Sequence, residues 1–583
     1  MKRLPHRSPL GVAATLLLGS ATAHAFPAAF VGKSAGQRVA HSAHVVVVKQ
    51  GDSTVVTTMV DYDGPTDAPF AIVAPVPADV TPERVVALKR EPIDRLEKLT
   101  APRFHEFWEM DPCEPGPAQQ EWERDLTASS GTDFLGGGSP QPQAGKVAKE
   151  LVVSTDTDFR PKEYAVSVVA SGVADELKRR GYLDFDRVAT DAEAYIQQGM
   201  KVMIAEVDPK TLEMIGASRA MLAPLRFWTD QPYTRLPSRM GLANLAKAQE
   251  LLVYVLDPKQ RWEVKGYANA FAPTNVEVSF EVKERMGEFW AGLHDRFLAK
   301  HPRTFLTEYS WPTEGCGQPC QNEALLLSEL LTLGGDVFES KLPKEIREPK
   351  PPEPTEDEKK AAKAELANLP AADRPKREKV MKEERVTIAR VKALVDRQRY
   401  VLTRLHYRYD AATLPTDPEL VPAGGHVAGG AGLPKGEKGE ISTEVKPAEQ
   451  ARYQTRMNHF HPWKGMQQCN APERWRWGKP PRTYRGLRKV WVAEDLARKN
   501  RTQIDPAQHV HTPVPALDLA AVPKAGDAAA APSASAAPSA SASGAPEKSG
   551  CGIAGAVRGS GGAGPAWWAL FAIALLSRRR PRR

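Results

Sequence analysis

The chain has 583 residues, of which 42% are hydrophobic and 26% are charged, so its composition is typical of a globular protein with room for more than one domain. Its formal net charge is +8, but residues 1–25 contribute +3 and residues 551–583 contribute +6, which leaves −1 for residues 26–550. This nearly neutral body excludes an electrostatic basis for nucleic-acid binding, which relies on Lys and Arg to neutralise phosphates.

The first 25 residues have the pattern of a secretory signal peptide. Basic residues precede the apolar run LGVAATLLLG, and Ala23 and Ala25 occupy the small positions of a small-x-small cleavage site. We predict that signal peptidase removes residues 1–25; the alternative is a buried N-terminal helix. Export would place the cysteines in an oxidising compartment, where they can pair.

Residues 26–113 are predicted to begin with a β-hairpin. The β-branched runs HVVVVK and STVVTTMVDY are separated by Gln50-Gly51-Asp52, which supplies the turn. FAIVAPVP is predicted to be a third strand that ends at its prolines. From Arg84 to Cys113 we predict helical pieces, with breaks near Pro92 and Pro102.

Residues 164–342 mix strands and helices without the regular order of βαβ units. The predicted strands are YAVSVVAS, KVMIAEVD, LRFWT, LLVYVLD, VEVSFEV and TFLTEYSW, and NEALLLSELLTLGG is predicted to be a helix. The helix predicted in ERMGEFWAGLHDRFLAK has one apolar face, made of Met286, Phe289, Trp290, Leu293 and Phe297. We interpret this face as part of the core rather than as a cofactor site.

Residues 343–399 are predicted to be an inserted hairpin of two charged helices, split around Pro370. In the second helix, helical spacing is followed by Val380, Glu384, Ile388, Val391 and Val395, all apolar except Glu384. The mixed charges favour a solvated surface, and the alternative is a surface that binds a partner.

The sheet is predicted to resume at residue 400, so residues 26–342 and 400–523 are two parts of one ectodomain. In RYVLTRLHYRYD a polar stripe of Arg404, His406, Arg408 and Asp410 alternates with apolar residues. The stripe favours either a solvated strand face or a groove for an anionic ligand. We predict an α+β fold, mainly antiparallel sheet with peripheral helices and the inserted charged helical hairpin.

Eight segments occur in order along this body: DYDGPTDAPFAIVAPVP, LTAPRFHEFWEMDPC, AYIQQGMKVMIAEVD, LAPLRFWTD, LPSRMGL, TEYSWPTEGCGQPC, LTRLHYRYD and HPWKG. As a set they resemble the uncharacterised bacterial family "domain of unknown function 2330", over most of residues 26–500. The resemblance implies no activity that can be carried over. The chain departs from the family where Pro27 and Ala28 stand in place of a cysteine, and where a C-x-x-C spacing is widened to Cys316 and Cys320.

Four cysteines of the body form an even set: Cys113, Cys316, Cys320 and Cys469. They allow three pairings, and the sequence alone does not choose among them. We favour a local Cys316–Cys320 disulfide and a long Cys113–Cys469 disulfide, which would stabilise the fold by roughly 4–5 kcal/mol through chain entropy. The alternative for Cys316 and Cys320 is thiol redox chemistry, although no thioredoxin-like pattern surrounds them.

No nucleophile elbow, H-E-x-x-H motif or P-loop occurs in the sequence, so the catalytic candidates are scattered residues. They are His406, His461, Glu308 and Asp61, and a pocket that gathers them would favour a hydrolase. His459, His461 and Cys469 are candidate metal ligands, because H-x-H spacing puts both imidazoles on one face of a strand. The same alternation also occurs where the histidines have no such role, and no cofactor is expected.

The last 60 residues have two parts. Residues 524–550 are an Ala/Pro/Ser-rich tract, which we predict to be a flexible linker. Cys551 and Gly552 then precede a Gly-rich spacer, the apolar run PAWWALFAIALLS and the basic end RRRPRR. Residues 551–583 resemble the myxobacterial C-terminal sorting tail MYXO-CTERM, which implies cleavage by a sorting protease and lipid attachment at or beside Cys551; the alternative is an ordinary membrane helix.

These patterns predict an exported protein at the cell surface or outer membrane after tail processing, or otherwise anchored in the envelope. Its ectodomain would bind or serve a structural role, and we favour a non-enzymatic function with no nucleic-acid partner and an unidentified ligand. The partners would be signal peptidase, a sorting protease and the membrane through the tail. The alternatives are an extracytoplasmic hydrolase with a His/carboxylate site and a thiol redox protein that uses Cys316 and Cys320.

Overall fold

The structure is a computed structural model that describes residues 28–114, 163–215, 219–245, 247–313, 325–350, 353–395, 397–478, 491–493 and 503–522. These residues all fall within the unit Met1–Gly526. The predicted leader, Cys316, Cys320, the linker and the predicted tail lie outside the described residues. Within the described ranges, none of the helices combines the length and the apolar character that a membrane span requires.

The described strands are β1 (Ala29–Gly32), β2 (Ser42–Gln50), β3 (Ser53–Asp63), β4 (Phe70–Val76), β5 (Val85–Ala87), β6 (Arg103–Glu109), β7 (Tyr164–Val169), β8 (Lys201–Val207), β9 (Glu213–Met214), β10 (Arg219–Met221), β11 (Leu225–Thr229), β12 (Gln249–Asp257), β13 (Trp262–Lys265), β14 (Ala268–Phe271), β15 (Val276–Glu277), β16 (Thr304–Pro312), β17 (Val401–Tyr409), β18 (Glu419–Pro422), β19 (His426–Gly429), β20 (Lys446–Ala448), β21 (Arg452–Gln454), β22 (Arg456–His461), β23 (Trp477–Gly478) and β24 (Trp491–Val492). The α-helices are α1 (Glu91–Thr100), α2 (Val173–Arg179), α3 (Asp186–Ile196), α4 (Met286–Lys300), α5 (Leu327–Leu330), α6 (Asp336–Ser340), α7 (Lys344–Arg347), α8 (Glu356–Ala367) and α9 (Arg374–Val395).

Thirteen of the described strands form one large sheet, whose main path runs β20-β19-β21-β16-β17-β12-β2-β3. The predicted hairpin is present as β2 and β3, which pair antiparallel from Gln50 and Ser53 across a two-residue turn. Most neighbours in the sheets are antiparallel, and β2 pairs in parallel with β12 at the centre. The prediction of an α+β fold built mainly on antiparallel sheet is therefore confirmed.

The centre of the large sheet is buried on both faces. On β2, Val45 and Val47 face one apolar cluster, and Val46 and Val48 face another, because successive side chains of a strand point to opposite sides. A four-stranded sheet, β1-β4-β8-β7, contributes to the first cluster, and α1 with residues 325–338 contributes to the second. Runs of Val and Leu in β2 and β12 reflect this two-sided burial.

Helix α4 contributes to a third apolar cluster, beside one end of the large sheet. The predicted apolar face is buried as expected, and it packs with Leu306 of β16 and Met457 of β22. The same side of the helix also carries His294, which is buried. This polar residue in an apolar face brings a titratable group against β16 and β17.

One prediction along residues 84–113 needs correction. Residues 103–109 are not helical but form β6, which pairs in parallel with β22 more than 350 residues later. Of the predicted helical pieces, α1 forms, with Pro92 in its first turn, where a missing N–H costs nothing. FAIVAPVP is confirmed as a strand: it forms β4, which lies in the four-stranded sheet.

Two further segments are less regular than predicted. VEVSFEV forms a strand only over Val276–Glu277, after which Phe280–Val282 is a 3₁₀ turn. NEALLLSELLTLGG was predicted as one helix, and its described part is α5, a π-helical turn at Leu331–Gly335 and then α6. Gly334 has a positive φ of 153° inside this turn, which interrupts the regular helix.

The charged insertion forms a helical hairpin of α8 and α9. Helix α8 begins with a capping box, in which the Glu358 N–H donates to Thr355 and the Glu358 carboxylate accepts from the Thr355 N–H. Arg377 of α9 pairs with Glu365 of α8 at 2.6 Å and so joins the two helices. None of the side chains of α8 is buried. Near the end of α9, Leu394 is fully buried and docks this end of the hairpin on the body.

Candidate functional site

The inner half of the polar stripe, Arg404 and His406, is buried, which corrects the expectation of a solvated face or an open groove. β17 lies between β12 and β16, and α4 approaches its polar face. Arg404 and His406 are 2% and 7% exposed, so these two side chains lie inside the molecule, whereas Arg408 and Asp410 are half-buried. Burying charges without partners is costly, so their partners define the site.

A β-bulge places Glu308 against this stripe. β16 pairs with β17 through Leu306 and His406 and then through Tyr309 and Arg404, with a register shift between Thr307 and Tyr309. Glu308 is the extra residue at this shift, and its carboxylate reaches the face that carries Arg404 and His406. Bulges change the direction of a side chain in this way. The backbone carbonyl of Glu308 accepts hydrogen bonds from the N–H and hydroxyl of Thr455 on the opposite side.

The Glu308 carboxylate has three partners. Oε2 lies 2.6 Å from Nε of Arg404, and Oε1 lies 2.6 Å from Nδ1 of His406. The indole N–H of Trp290 donates to Oε1 at 2.8 Å. Burial by itself raises the pKa of Glu308, but the charges of His406 and Arg404, with these hydrogen bonds, more than offset it and hold the pKa below its usual value.

His406 lies between two buried carboxylates. Its Nε2 is 2.7 Å from Oε2 of Glu250, on the neighbouring strand β12, while its Nδ1 faces Glu308. At these distances, a hydrogen bond or a bound cation can bridge the imidazole and each carboxylate. Arg408, which pairs with Asp295, lies at the outer edge of this group, with its Nε 3.9 Å from Oε1 of Glu250.

His294 completes the cluster from α4. Its ring centroid lies 4.0 Å from that of His406. Burial, followed by the nearby charges of His406 and Arg408, lowers the pKa of His294 well below its usual value, so its imidazole is neutral at neutral pH. Potential ligand atoms of Glu250, His294 and His406 all lie within 4.8 Å of one another. A neutral imidazole, a second imidazole and a carboxylate can together bind a metal ion.

The other catalytic candidates lie elsewhere. Asp61 is fully buried on β3, where its carboxylate accepts from the backbone N–H groups of His41 and Ser42 and pairs with Arg219 at 2.9 Å. These contacts hold β3 and its neighbours together, which is a structural role. The structure therefore joins His406 and Glu308, whereas Asp61 has a separate set of partners.

His459 and His461 lie on one face of β22, with ring centroids 4.8 Å apart. His461 stacks on Trp108 at 3.8 Å, and its Nε2 lies 2.7 Å from a Glu106 carboxylate that also pairs with Lys283 at 2.6 Å. These contacts join neighbouring parts of the sheet. His461 belongs to this second group and not to the group around His406.

The third candidate metal ligand of the H-x-H segment is engaged in another bond. Cys469 forms a disulfide with Cys113. Its thiolate is therefore not available to complete a metal site beside His459 and His461. Cys316 and Cys320 lie outside the described residues, so their pairing and the proposed redox role stay predictions.

An apolar cavity of about 40 Å³ lies between the four-stranded sheet and the large sheet. Its lining includes Val45, Ile72, Met203 and Phe227. Pockets for small molecules usually measure about 300–1,000 Å³ and place a few polar groups in an apolar wall. This cavity is too small for such a ligand. Its lining does not include any residue of the group around His406.

Two members of the cluster, Glu250 and His294, were not among the residues singled out from the sequence. Glu250 follows Gln249 at the start of β12, where an acidic residue has no distinguishing local pattern. His294 carries a usable signal, since it lies four residues after Trp290 within an otherwise apolar helical face. The bulge that directs Glu308 has no signal in the local sequence.

The chain was compared with protein families, curated proteins and solved structures. A family model described as "Uncharacterized protein conserved in bacteria (DUF2330)" matches residues 21–421. This range contains all of the cluster around His406, while HPWKG and the H-x-H segment lie beyond it. No curated protein and no solved structure matches the chain.

Proposed function

The chain belongs to the DUF2330 family of uncharacterized bacterial proteins. We propose that this family member is an exported envelope protein, whose folded unit binds a partner or serves a structural role outside the cytoplasm. The observation that carries this proposal is the Cys113–Cys469 disulfide. Disulfides persist in the periplasm and at cell surfaces and are rare in the reducing cytosol.

The disulfide has a defined position in the fold. Cys113 follows β6 and Cys469 follows β22, so the bond joins the segments after two parallel neighbours, and the two cysteines are 356 residues apart in sequence. Nearby, the N–H of Glu473 donates to the carbonyl of Pro112 at 2.8 Å and joins the same two segments. A link of this kind fits a protein that folds after export, and residues 1–25 supply the predicted route.

The charged helical hairpin supports a binding role for the exported unit. Helix α8 has no buried side chain, so it adds little apolar burial to the stability of the body. Two apolar residues of α9, Val380 and Val386, are each 36% exposed among its charges. A docked hairpin with an unburied surface suits recognition better than support of the core.

The tail completes the proposal for location. We propose that residues 524–550 separate the folded unit from the membrane and that the segment from Cys551 is cleaved and anchored by a sorting system. These residues lie outside the described part of the chain, and the support is their composition and order.

An extracytoplasmic hydrolase is the second candidate, and one observation favours it. His406 and Glu308, two of the residues selected as acid–base candidates, lie in hydrogen-bond contact beside a second carboxylate and a second imidazole. Both side chains are buried, so a substrate would need access through the edge of the cluster at Arg408 and Asp295. For this reason the binding role stays the first proposal.

The experiment that tests the location is fractionation of cells that express the full chain, with mass spectrometry of the purified protein under non-reducing conditions. We expect the protein in the envelope fraction, cleaved after Ala25, with a linked peptide pair that contains Cys113 and Cys469. A variant that lacks residues 2–25 is the control and should keep both thiols reduced in the cytosol. Recovery of the full chain from the cytosol, with both ends intact, would contradict the proposal.

A further inference from the structure

We infer that Glu250, His294 and His406 bind one divalent transition-metal ion such as Zn²⁺. This inference does not depend on where the protein is located. Their potential ligand atoms lie within 4.8 Å of one another, and all three side chains are buried. Two imidazole nitrogens and one carboxylate oxygen form a His₂Glu set, which binds zinc and leaves a fourth position open. The three ligands come from α4, β12 and β17, so the rigid elements of the fold bring them together.

His294 provides a second, independent observation. Its side chain is 2% exposed, and its Nε2 has no hydrogen-bond partner among the described residues. A buried polar atom without a partner costs about 1–3 kcal/mol, so this nitrogen needs an explanation. Coordination of a cation that is shared with His406 and Glu250 satisfies it.

Glu308 has the contacts of a positioning residue for this site. It lies 2.6 Å from Nδ1 of His406, which leaves Nε2 of His406 directed toward Glu250, where a metal ion can replace the shared proton. Metal-binding histidines usually donate their second ring N–H to a carboxylate or carbonyl in this way. Glu308 is itself held by Arg404 and Trp290, so the imidazole is fixed in orientation before any ion arrives.

The geometry accommodates the ion if the three ligand atoms, which lie within 4.8 Å of one another, move to tetrahedral spacing. Zinc bonds of about 2.0–2.2 Å in a tetrahedral arrangement place ligand atoms about 3.3 Å apart. Oε2 of Glu250 and Nε2 of His406 are 2.7 Å apart, so they would separate by roughly 0.6 Å as the metal replaces the proton between them. Arg408 and Asp295, which pair beside the cluster, are 25% and 32% exposed, so the cluster has a solvent-facing edge.

The competing explanation is a metal-free network in which His406 is hydrogen-bonded to both carboxylates. It accounts for Glu250, Glu308 and Arg404, but it gives Nε2 of His294 no partner among the described residues. The two explanations differ in what happens when His294 is replaced. His294→Leu removes a metal ligand but removes no charge from the network.

The test measures Zn²⁺ binding to the purified full chain, freed of any affinity tag and of bound metal by chelation. We expect calorimetry and elemental analysis to give one Zn²⁺ at this site, with its affinity lowered more than 100-fold by His294→Leu. Removal of a residue that only orients a ligand lowers metal affinity by roughly 10–100-fold, and this is the effect expected for Glu308→Gln. The loss of affinity in His294→Leu should be larger. His461→Asn is the matched control, because it alters a histidine of the separate H-x-H segment, and it should bind like the wild type.

Several results would overturn the inference: no bound Zn²⁺ in the wild type, equal affinity in His294→Leu, or loss of the site in His461→Asn instead. If circular dichroism shows that His294→Leu is unfolded, Co²⁺ loading of the wild type decides the question. Intense visible absorption bands of four- or five-coordinate Co²⁺ would support the site, and the weak spectrum of six-coordinate aqueous Co²⁺ would refute it.

Discussion

Nδ1 of His406 lies 2.6 Å from Oε1 of Glu308, although the two residues are 98 positions apart and a bulge is required to bring them face to face. The contact belongs to a buried group in which Arg404 also pairs with Glu308. Buried ion pairs add little net stability when they are complete, but removal of one partner leaves an uncompensated charge in the interior.

The first prediction concerns this buried charge. Glu308→Leu should lower the free energy of unfolding by about 3–5 kcal/mol, because Arg404 would lose its buried counter-ion. Urea unfolding followed by circular dichroism measures the change. Glu383→Ala, on the exposed surface of α9, is the control and should change stability by less than about 0.5 kcal/mol. Equal effects of the two substitutions would show that Glu308 is not part of a desolvated network.

The second prediction concerns the disulfide. Replacement of both Cys113 and Cys469 by Ser should lower the free energy of unfolding by about 2–5 kcal/mol, because the bond closes a very long loop. Reduction of the wild type should lower its urea midpoint at least as far as that of the double variant, because reductant would also break a Cys316–Cys320 bond. Cys551→Ser, in the predicted tail, should leave the midpoint unchanged. A wild type that is insensitive to reductant would contradict the prediction.

The third prediction concerns pH. Burial, with smaller effects from His461 and His511, lowers the pKa of His459 to about 4, despite the hydrogen bond to the carbonyl of Val278 and the charge of Glu106. An unfolded chain would have the usual pKa of about 6.5, so between these values only the unfolded state binds the proton. The contribution of His459 to stability is therefore complete above about pH 6.5 and is lost as the pH falls toward 4.

An imidazole titration by NMR checks this directly, and the His459 resonances should have a midpoint near pH 4. His459→Asn should reduce the loss of stability between pH 7 and pH 5. A titration midpoint near 6.5 would mean that the imidazole is solvated in the folded protein.

The fourth prediction compares two glycines with positive φ. Gly199 and Gly430 have φ of 85° and 71°, but a Cβ on Gly199 would meet open space, whereas one on Gly430 would overlap the backbone carbonyl of Gln454. Gly199→Ala should cost about 1–2 kcal/mol from backbone strain alone. Gly430→Ala should cost a further 1–3 kcal/mol or so through overpacking. Thermal or urea unfolding measures both, and equal costs would rule out the close approach.

The fifth prediction locates the docked end of the helical hairpin. Leu394→Ala should destabilise the protein by about 2–5 kcal/mol, since this leucine of α9 is fully buried. Val380→Ala, in the same helix but 36% exposed, should change the free energy of unfolding by less than about 0.5 kcal/mol. The same urea titration serves both variants. A larger effect at Val380 would mean that the other end of the hairpin is the docked one.

Much of the body was accessible from the sequence alone. The hairpin of β2 and β3, the core face of α4 and the α+β class follow from alternation, helical spacing and turn residues. These patterns are local, so they can be interpreted before any long-range contact is known. Residues 103–109 were misassigned because their strand depends on a partner, β22, that lies more than 350 residues away.

The candidate site was accessible only in part. The sequence pointed to His406 and Glu308 as separate residues, on the basis of residue type and strand position. It indicated neither that the inner half of the polar stripe of β17 is buried nor that His294 and Glu250 lie beside it. Burial arises from the packing of α4 and the neighbouring strands, and no local pattern encodes it.

What the sequence by itself determined is the alternation of apolar and polar residues, and with it the strands, the helices and the balance of charge in the body. Only the tertiary structure decided which polar residues lose their water, because desolvation depends on what packs against them. The bulge at Glu308 and the contact between His294 and His406 were decided by the tertiary structure. Both depend on register and contact between elements that are far apart in the chain.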